Sequence, residues 1–111
     1  MKFTANNATG SAEILAADDF VAIPIKVTET GVVKAGTPLT AAGKKTGDGS
    51  GAAGILLYDV DVAVNPNAAM VVQGVINQRK AEEHAGVTYD ASALKTALPG
   101  IVLRNNIGVN A

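Results

Sequence analysis

The feature that most constrains the fold is an alternation of large apolar residues with small or polar ones in two stretches of the chain. In the first stretch four β-branched residues share one face of an extended segment, because successive strand side chains point to opposite sides: Val21, Ile23, Ile25 and Val27. Pro24 lies within this run and has no amide hydrogen to donate to a neighbouring strand. The pattern therefore predicts an edge strand.

The second alternating stretch is the clearest strand pattern in the sequence. Asp59 and Asp61 fall on its polar face, and its apolar face carries Leu56, Tyr58, Val60, Val62 and Val64. This predicts one strand with a buried face and a solvated face. After a turn at residues 65–67, the run from Met70 to Ile76 predicts a returning strand with Gly74 as a bulge or a point of close approach. We expect the two strands to form a hairpin.

Shorter signals predict the remaining elements. Residues 32–34 and the region of Leu39 have the composition of short strands, and the glycine-rich residues 40–54 that of a loop. Residues 77–85 are polar enough for a surface turn or one short helix. Asp90 is suited to cap a second short helix from Ala91 to Leu98, which Pro99 ends, and residues 101–103 predict a final strand.

Composition favours a sheet protein with a core of small side chains. The chain of 111 residues suffices for one domain, and its 48% hydrophobic content is rich in alanine and valine but only 4% aromatic. We predict a mainly β, single-domain barrel or sandwich with one or two short helices. Residues 1–19 show no sustained periodicity and are expected to form a flexible N-terminal arm, with residues 20–111 as the β-rich domain.

The charge balance and the lengths of the apolar runs argue against nucleic-acid and membrane partners. Nine basic and ten acidic residues give a formal net charge of −1, without the concentrated basic surface that nucleic acid requires. No apolar run has the length of a membrane span or a secretion signal, so we expect a soluble protein that is made in the cytoplasm and has no membrane partner. The absence of cysteine excludes disulfides and thiol nucleophiles.

The segment GSGAAG, residues 49–54, matches the G-x-G-x-x-G pattern of dinucleotide-binding proteins. That pattern holds a pyrophosphate only between a strand and a helix, with an acidic residue about 20 positions further on. Here a polar loop precedes it, a strand pattern follows it, and no acidic residue lies near Met70. Residues 43–46 also depart from a P-loop, since Pro38 and Lys45 replace its glycine and hydroxyl residue. We predict no cofactor.

The remaining chemical candidates are few. Asp59 and Asp61 could bind a hard cation or act as acid and base, but a solvated strand face is the favoured interpretation. His84, the single histidine, stands in a predicted loop or short helix after two glutamates, and no Ser-His-Asp set can be assembled around it. We therefore predict no metal site, no catalytic residue and no enzymatic activity.

The order of the central and C-terminal segments resembles that of the lambda-like head decoration proteins of tailed phages. The resemblance covers residues 32–104 and rests on Thr37-Pro38-Leu39, a Gly/Lys loop, residues 48–56, the helix before Pro99 and the closing residues 101–103. Related head-fibre base proteins look similar over the same stretch. The resemblance implies a β-tulip-like domain in which particular turn residues shape the fold. These are Gly36, Pro38, Gly51 and Gly54, with side chains at positions 51 and 54 expected to obstruct close packing.

The resemblance also implies a function in the virion. Three copies would meet at local threefold sites on the outer surface of the expanded phage head and clamp the major capsid protein against DNA pressure. The arm would add a strand to a capsid-protein sheet. On chemical grounds, and matching no family motif, we expect its contacts to be Lys2, Phe3, Thr4, Ile14 and Leu15. The alternatives are a head-fibre base or other adhesive β-module and a small-ligand-binding β-clip domain.

Overall fold

A computed structural model of the chain describes residues 14–16 and 19–104. Within these residues the chain forms, in order, β1 (Val21–Lys26), β2 (Val32–Val33), β3 (Pro38–Leu39), β4 (Gly54–Leu56), β5 (Val60–Asp61), β6 (Asn67–Asn77), α1 (Gln78–Ala85), α2 (Ala91–Ala97) and β7 (Ile101–Arg104). The prediction of a small, mainly β domain with short helices is confirmed.

The long strand β6 organises the sheet. Its first half pairs antiparallel with β1 on one side and β4 on the other, and β3 continues the sheet beyond β4. Its last four residues pair in parallel with β7. The strands β2 and β5 form a separate two-stranded ribbon, and the described strands do not close into a barrel.

The sheet has an apolar cluster on each face, because neighbouring residues of its central strands point in opposite directions. Val71 and Ile55 pack on the face that α1 and α2 cover, with Leu94 and Ile76. Met70 and Leu56 pack on the other face, under the β2–β5 ribbon. A chain with few aromatic residues thus fills two thin cores.

Both helices begin at the capping residues that their sequences supply. The Asn77 side chain accepts a hydrogen bond from the Lys80 amide, and the Asp90 side chain accepts one from the Ala93 amide, each at 3.2 Å. These bonds satisfy amides that have no partner inside the helix. The prediction of a short second helix capped by Asp90 is confirmed, and residues 78–85 form a helix rather than a turn.

The predicted single strand from Leu56 to Val64 is wrong. The chain leaves the main sheet after Leu56, and Val60 pairs instead with Val33 in the ribbon. Tyr58 is 41% exposed and Val64 is 81% exposed. The hairpin with β6 survives only over residues 55 and 56. The alternating pattern runs through both β4 and β5, so the sequence does not reveal that β4 pairs with β3 and β6 whereas β5 pairs with β2.

Strand β1 lies at the edge of the sheet, as Pro24 predicts. The Val27 amide donates to the Pro66 carbonyl, which shows that odd-numbered residues of β1 direct their backbone bonds toward β6. Pro24 therefore faces the outer side of the strand, where its missing amide costs no ladder bond. The apolar face of β1 is buried only toward its end: Val21 and Ile23 are 47% and 40% exposed, whereas Val27 is 1% exposed.

Candidate functional site

The N-terminal segment enters the fold on the central strand. The Asn77 amide donates to the Ile14 carbonyl at 2.7 Å, and the Ala16 amide donates to the Val75 carbonyl at 2.8 Å. Ile14 is 1% exposed and belongs to the core on the helical face. Residues 14–16 are therefore an anchor of the domain, which joins the outside of β6 before β1 begins.

This anchor bears on the predicted capsid contacts. The Ile14 side chain packs in the core of its own domain. Leu15 is half-buried and forms a β-bridge with Ile76. A capsid contact through Ile14 would require the segment to leave the core. The other predicted contacts, Lys2, Phe3 and Thr4, lie outside the described residues.

Next to the anchor, the chain enters and begins β1 with four exposed residues that we call the rim: Asp19, Phe20, Val21 and Ile23. Its apolar members are between 40% and 47% exposed. The pairing with β6 is irregular between Val21 and Ala22. Gly74, the residue after the Gln73 that pairs with Val21, has φ +145°. A Cβ at Gly74 would lie 2.9 Å from the Phe20 Cβ, so Gly74 is the close-approach point that the sequence predicts.

A second surface lies beyond β3. A groove of about 380 Å³ opens between residues 45–47 and the loop after α1, and we name it by the residues that line it: Val32, Lys34, Thr37, Lys45, Gly47 and Val87. Lys34 is about half-exposed, and Val32 is 53% exposed. The groove is therefore lined by exposed apolar surface and by two lysine residues, of which Lys34 pairs with Asp59.

A polar cluster lies behind the groove. Oδ1 of Asp59 accepts a hydrogen bond from the Ala35 amide at 2.8 Å and lies 2.7 Å from Nε2 of His84. Oδ2 of the same carboxylate lies 3.8 Å from Nζ of Lys34. The Asp59 side chain is only 16% exposed, so these partners replace most of its water.

The chemistry of this cluster is that of a tether. Asp59 joins three separate segments: the turn after β2, the segment before β5 and the last turn of α1. A nucleophilic site would need a hydroxyl on the second nitrogen of His84. None is recorded there within the part of the chain that the structure describes. Sequence reasoning missed the pair because its members are 25 residues apart and carry no local motif.

A second buried network holds α1 to the turn before β3. The Tyr89 hydroxyl donates to the Gly36 carbonyl at 2.6 Å, and the Tyr89 amide donates to Oε2 of Glu82 at 2.8 Å. Tyr89 is 5% exposed. Its burial, assisted by the negative charge of Glu82, raises the pKa of the Tyr89 hydroxyl well above its ordinary value.

Different physical constraints favour glycine at positions 36, 51 and 54. Gly36 has φ +94°, and a Cβ there would lie 2.7 Å from the Ala81 carbonyl oxygen of α1. A Cβ at Gly54 would lie 2.6 Å from Cγ of Met70, so a side chain would obstruct the packing of β4 on β6. Open space surrounds Gly51, which corrects the expectation of close packing there: its φ of +69° is what favours glycine. Pro38 is buried within β3.

The GSGAAG segment leads into strand β4, with no helix after it that could hold a pyrophosphate. Asp61 is exposed and accepts a bond from the Ala63 amide, while Asp59 turns inward, so the two carboxylates do not form one site. Among residues 14–16 and 19–104 no group of three metal-ligating side chains comes together. No helix in that part of the chain is long and apolar enough to cross a membrane.

Comparison with protein-family models, with curated proteins and with solved structures finds no match to this chain.

Proposed function

We propose that the protein is a decoration protein of a tailed-phage head, which binds as trimers at local threefold sites of the expanded shell and stabilises it against DNA pressure. The proposal starts from the sequence resemblance over residues 32–104, which spans β2 to β7. The observation that carries it further is the anchor at residues 14–16. It fits a protein whose N-terminal residues grip a partner.

A clamp must pass load from its grip to its body without unfolding. Ile14 and Ala16 each form one backbone hydrogen bond with β6, and the Ile14 side chain is fully buried. Strand β6 is hydrogen-bonded along its length to β1, β4, β7 and the anchor. A pull on the N-terminal residues is thus carried by the most widely bonded strand of the domain.

Weak individual grips are sufficient in this arrangement. An arm that binds at about millimolar strength contributes roughly −4 kcal/mol. Three arms that a threefold site holds together engage at effective concentrations near millimolar, which raises the overall affinity by on the order of a hundredfold or more. The function therefore requires three copies with aligned arms more than it requires a tight single contact.

The test is co-sedimentation with expanded, undecorated heads of the cognate phage, beside unexpanded proheads. The informative variant lacks residues 1–13, because removal of Ile14 would empty a core position and confuse loss of grip with loss of folding. Saturable binding to expanded heads that this deletion weakens at least tenfold is the expected result. A deletion of residues 105–111 is the matched control and should leave binding unchanged. Absence of binding by folded full-length protein would refute the proposal.

A further inference from the structure

We propose that Asp48 and Gly49 form a latent site of backbone rearrangement, and that the folded loop holds this site closed through Thr46. The pair is the single place in the sequence where an aspartate or asparagine precedes a glycine. Because glycine has no side chain, its amide nitrogen can approach the preceding carboxyl group closely. The inference concerns the loop between β3 and β4 and does not depend on the proposed function.

The rearrangement needs no co-reactant other than water. The amide nitrogen of Gly49 attacks Cγ of Asp48, and the new N–C bond closes a succinimide ring. The proton of the nitrogen and the hydroxyl of the carboxyl group leave together as water. Water then opens the ring at either carbonyl: opening at Cγ restores aspartate, whereas opening at the backbone carbonyl leaves the chain running through Cγ as isoaspartate.

The attacking nitrogen is held by a hydrogen bond. The Gly49 amide donates to Oγ1 of Thr46 at 3.0 Å. Thr46 is itself fixed, because its own amide donates to the Pro38 carbonyl of β3 at 3.0 Å. Attack requires the nitrogen to release its proton and to direct its lone pair at Cγ of Asp48. A bond that fixes this amide therefore opposes the reaction.

The carboxyl group is held as well. Oδ1 of Asp48 accepts the Ser50 amide at 2.9 Å, which fixes the rotation of the side chain. The hydrogen bond from the Ser50 amide also lowers the pKa of the Asp48 carboxyl, so the ionised form is favoured. A carboxylate accepts a nucleophile less readily than the uncharged acid, because only the acid has a hydroxyl to lose as water.

The rearranged chain would also fit poorly. The Asp48 carbonyl accepts the Asp90 amide at 2.8 Å, and Asp90 caps α2. Gly49 is buried against the same helix, since a Cβ there would lie 2.8 Å from Cδ1 of Leu94. Isoaspartate lengthens the main chain between these two contacts, where the packing leaves little space. The closed loop therefore protects the seat of α2 against ageing of the chain.

The Asp48→Asn variant turns this chemistry into a mass measurement. The same attack then expels ammonia, and ring opening leaves a carboxylic acid whose mass differs from that of the amide. The side-chain oxygen of the variant can still accept the Ser50 amide. We expect the folded variant to deamidate at least about tenfold more slowly than the same protein unfolded in urea, since two hydrogen bonds of ordinary net strength are lost on unfolding.

Substitution of Thr46 isolates the bond to Gly49. Thr46→Val in the Asp48→Asn background should deamidate about fivefold faster, which is the factor that one hydrogen bond of ordinary net strength represents. Thr40→Val is the matched control, because its hydroxyl accepts the Lys44 amide of the same loop instead. Thr46→Ser retains the acceptor and should keep the parent rate. Peptide mapping over longer times should give the same ranking for isoaspartate in chains that keep Asp48.

Hydrogen exchange of the Gly49 amide in the wild-type chain is a second measurement that requires no variant. We expect this amide to exchange at least about fivefold more slowly than in the unfolded chain. Urea denaturation confirms that each variant is folded during the incubation. Equal deamidation of the folded and unfolded proteins, equal rates for Thr46→Val and Thr40→Val, or exchange of the Gly49 amide at the unfolded rate would each overturn the inference.

Discussion

Nε2 of His84 lies 2.7 Å from Oδ1 of Asp59, and this contact joins the last turn of α1 to the segment that precedes β5. The same oxygen also accepts the Ala35 amide. One carboxylate therefore fixes the relative positions of the ribbon, the turn after β2 and a helix.

Replacement of Asp59 by alanine should destabilise the fold. It leaves the Ala35 amide and the His84 ring without their acceptor in a mostly buried place, which costs about 1–3 kcal/mol in the free energy of unfolding. Asp59→Asn retains an acceptor and should lose less. Urea denaturation measures both, with exposed Glu83→Ala as the control, expected within about 0.5 kcal/mol of wild type. Equal stability of Asp59→Ala and the control would show that the tether is dispensable.

Removal of the Tyr89 hydroxyl should also weaken the fold at neutral pH. Tyr89→Phe keeps the ring in the core but leaves the buried Gly36 carbonyl without its donor. We expect a loss of about 1–2 kcal/mol. Tyr58→Phe is the matched control, because the Tyr58 ring is 41% exposed and no hydrogen bond of its hydroxyl is recorded among the described residues. A similar small change in both variants would count against the buried bond.

The same tyrosine predicts an alkaline dependence of stability. The pKa of Tyr89 is raised in the folded protein, chiefly by burial and secondarily by Glu82. In the unfolded chain a tyrosine titrates at about 10, so above that pH the unfolded state releases a proton that the folded state keeps. The free energy of unfolding should therefore fall as pH rises above about 10. Lysine titration is common to wild type and Tyr89→Phe, so the steeper fall of wild type measures this effect, and parallel curves would contradict it.

Two glycines without a left-handed φ differ in the space that surrounds them. Gly54→Ala places a Cβ against Met70 without requiring a left-handed φ, and overpacking of this kind costs about 1–3 kcal/mol. Gly47→Ala meets nothing within 4 Å and has no left-handed φ, so it should be neutral or stabilising by up to about 1 kcal/mol. Thermal unfolding of the two variants compares them directly. If Gly54→Ala proved more stable than Gly47→Ala, the packing of β4 on β6 would not restrict the side chain at position 54.

Pro24 should protect the free edge of β1. The outer side of this strand lacks one amide donor in its middle, which interrupts any ladder that another chain would form there. Pro24→Val restores the donor and adds a β-branched residue, so we expect faster self-association into β-rich aggregates. Light scattering and thioflavin fluorescence over several days follow this, with Pro99→Ala as a control for proline removal at an exposed site. Identical aggregation rates of wild type and Pro24→Val would show that Pro24 does not protect this edge.

The elements that sequence reasoning located are those set by neighbours along the chain. Asp90 caps α2 because its side chain and the Ala93 amide are three residues apart, and Pro24 marks an edge because of its own missing donor. The strand β6 follows from a local apolar run. These features depend on the chemistry of a few adjacent residues, which the sequence displays directly.

The features that sequence reasoning missed depend on distant partners. Whether Val60 continues β4 or turns to the ribbon is decided by Val33, 27 positions earlier in the sequence. The exposure of Val21 and Ile23 depends on which strands cover β1, and the groove forms where three separate segments meet. Even the anchor at Ile14 becomes visible only once β6 is in place.

The position of that anchor has a topological consequence. Ile14 and Arg104 lie on opposite sides of Asn77, one hydrogen-bonded to its amide and the other its partner in the parallel register. Two strand spacings, about 10 Å, thus separate the two ends of the described fold. A short linker could close the chain into a circle, and the exposed tip at Val64 is a natural place to reopen it. Such a circular permutant would keep every strand pairing while moving both termini to the opposite end of β6.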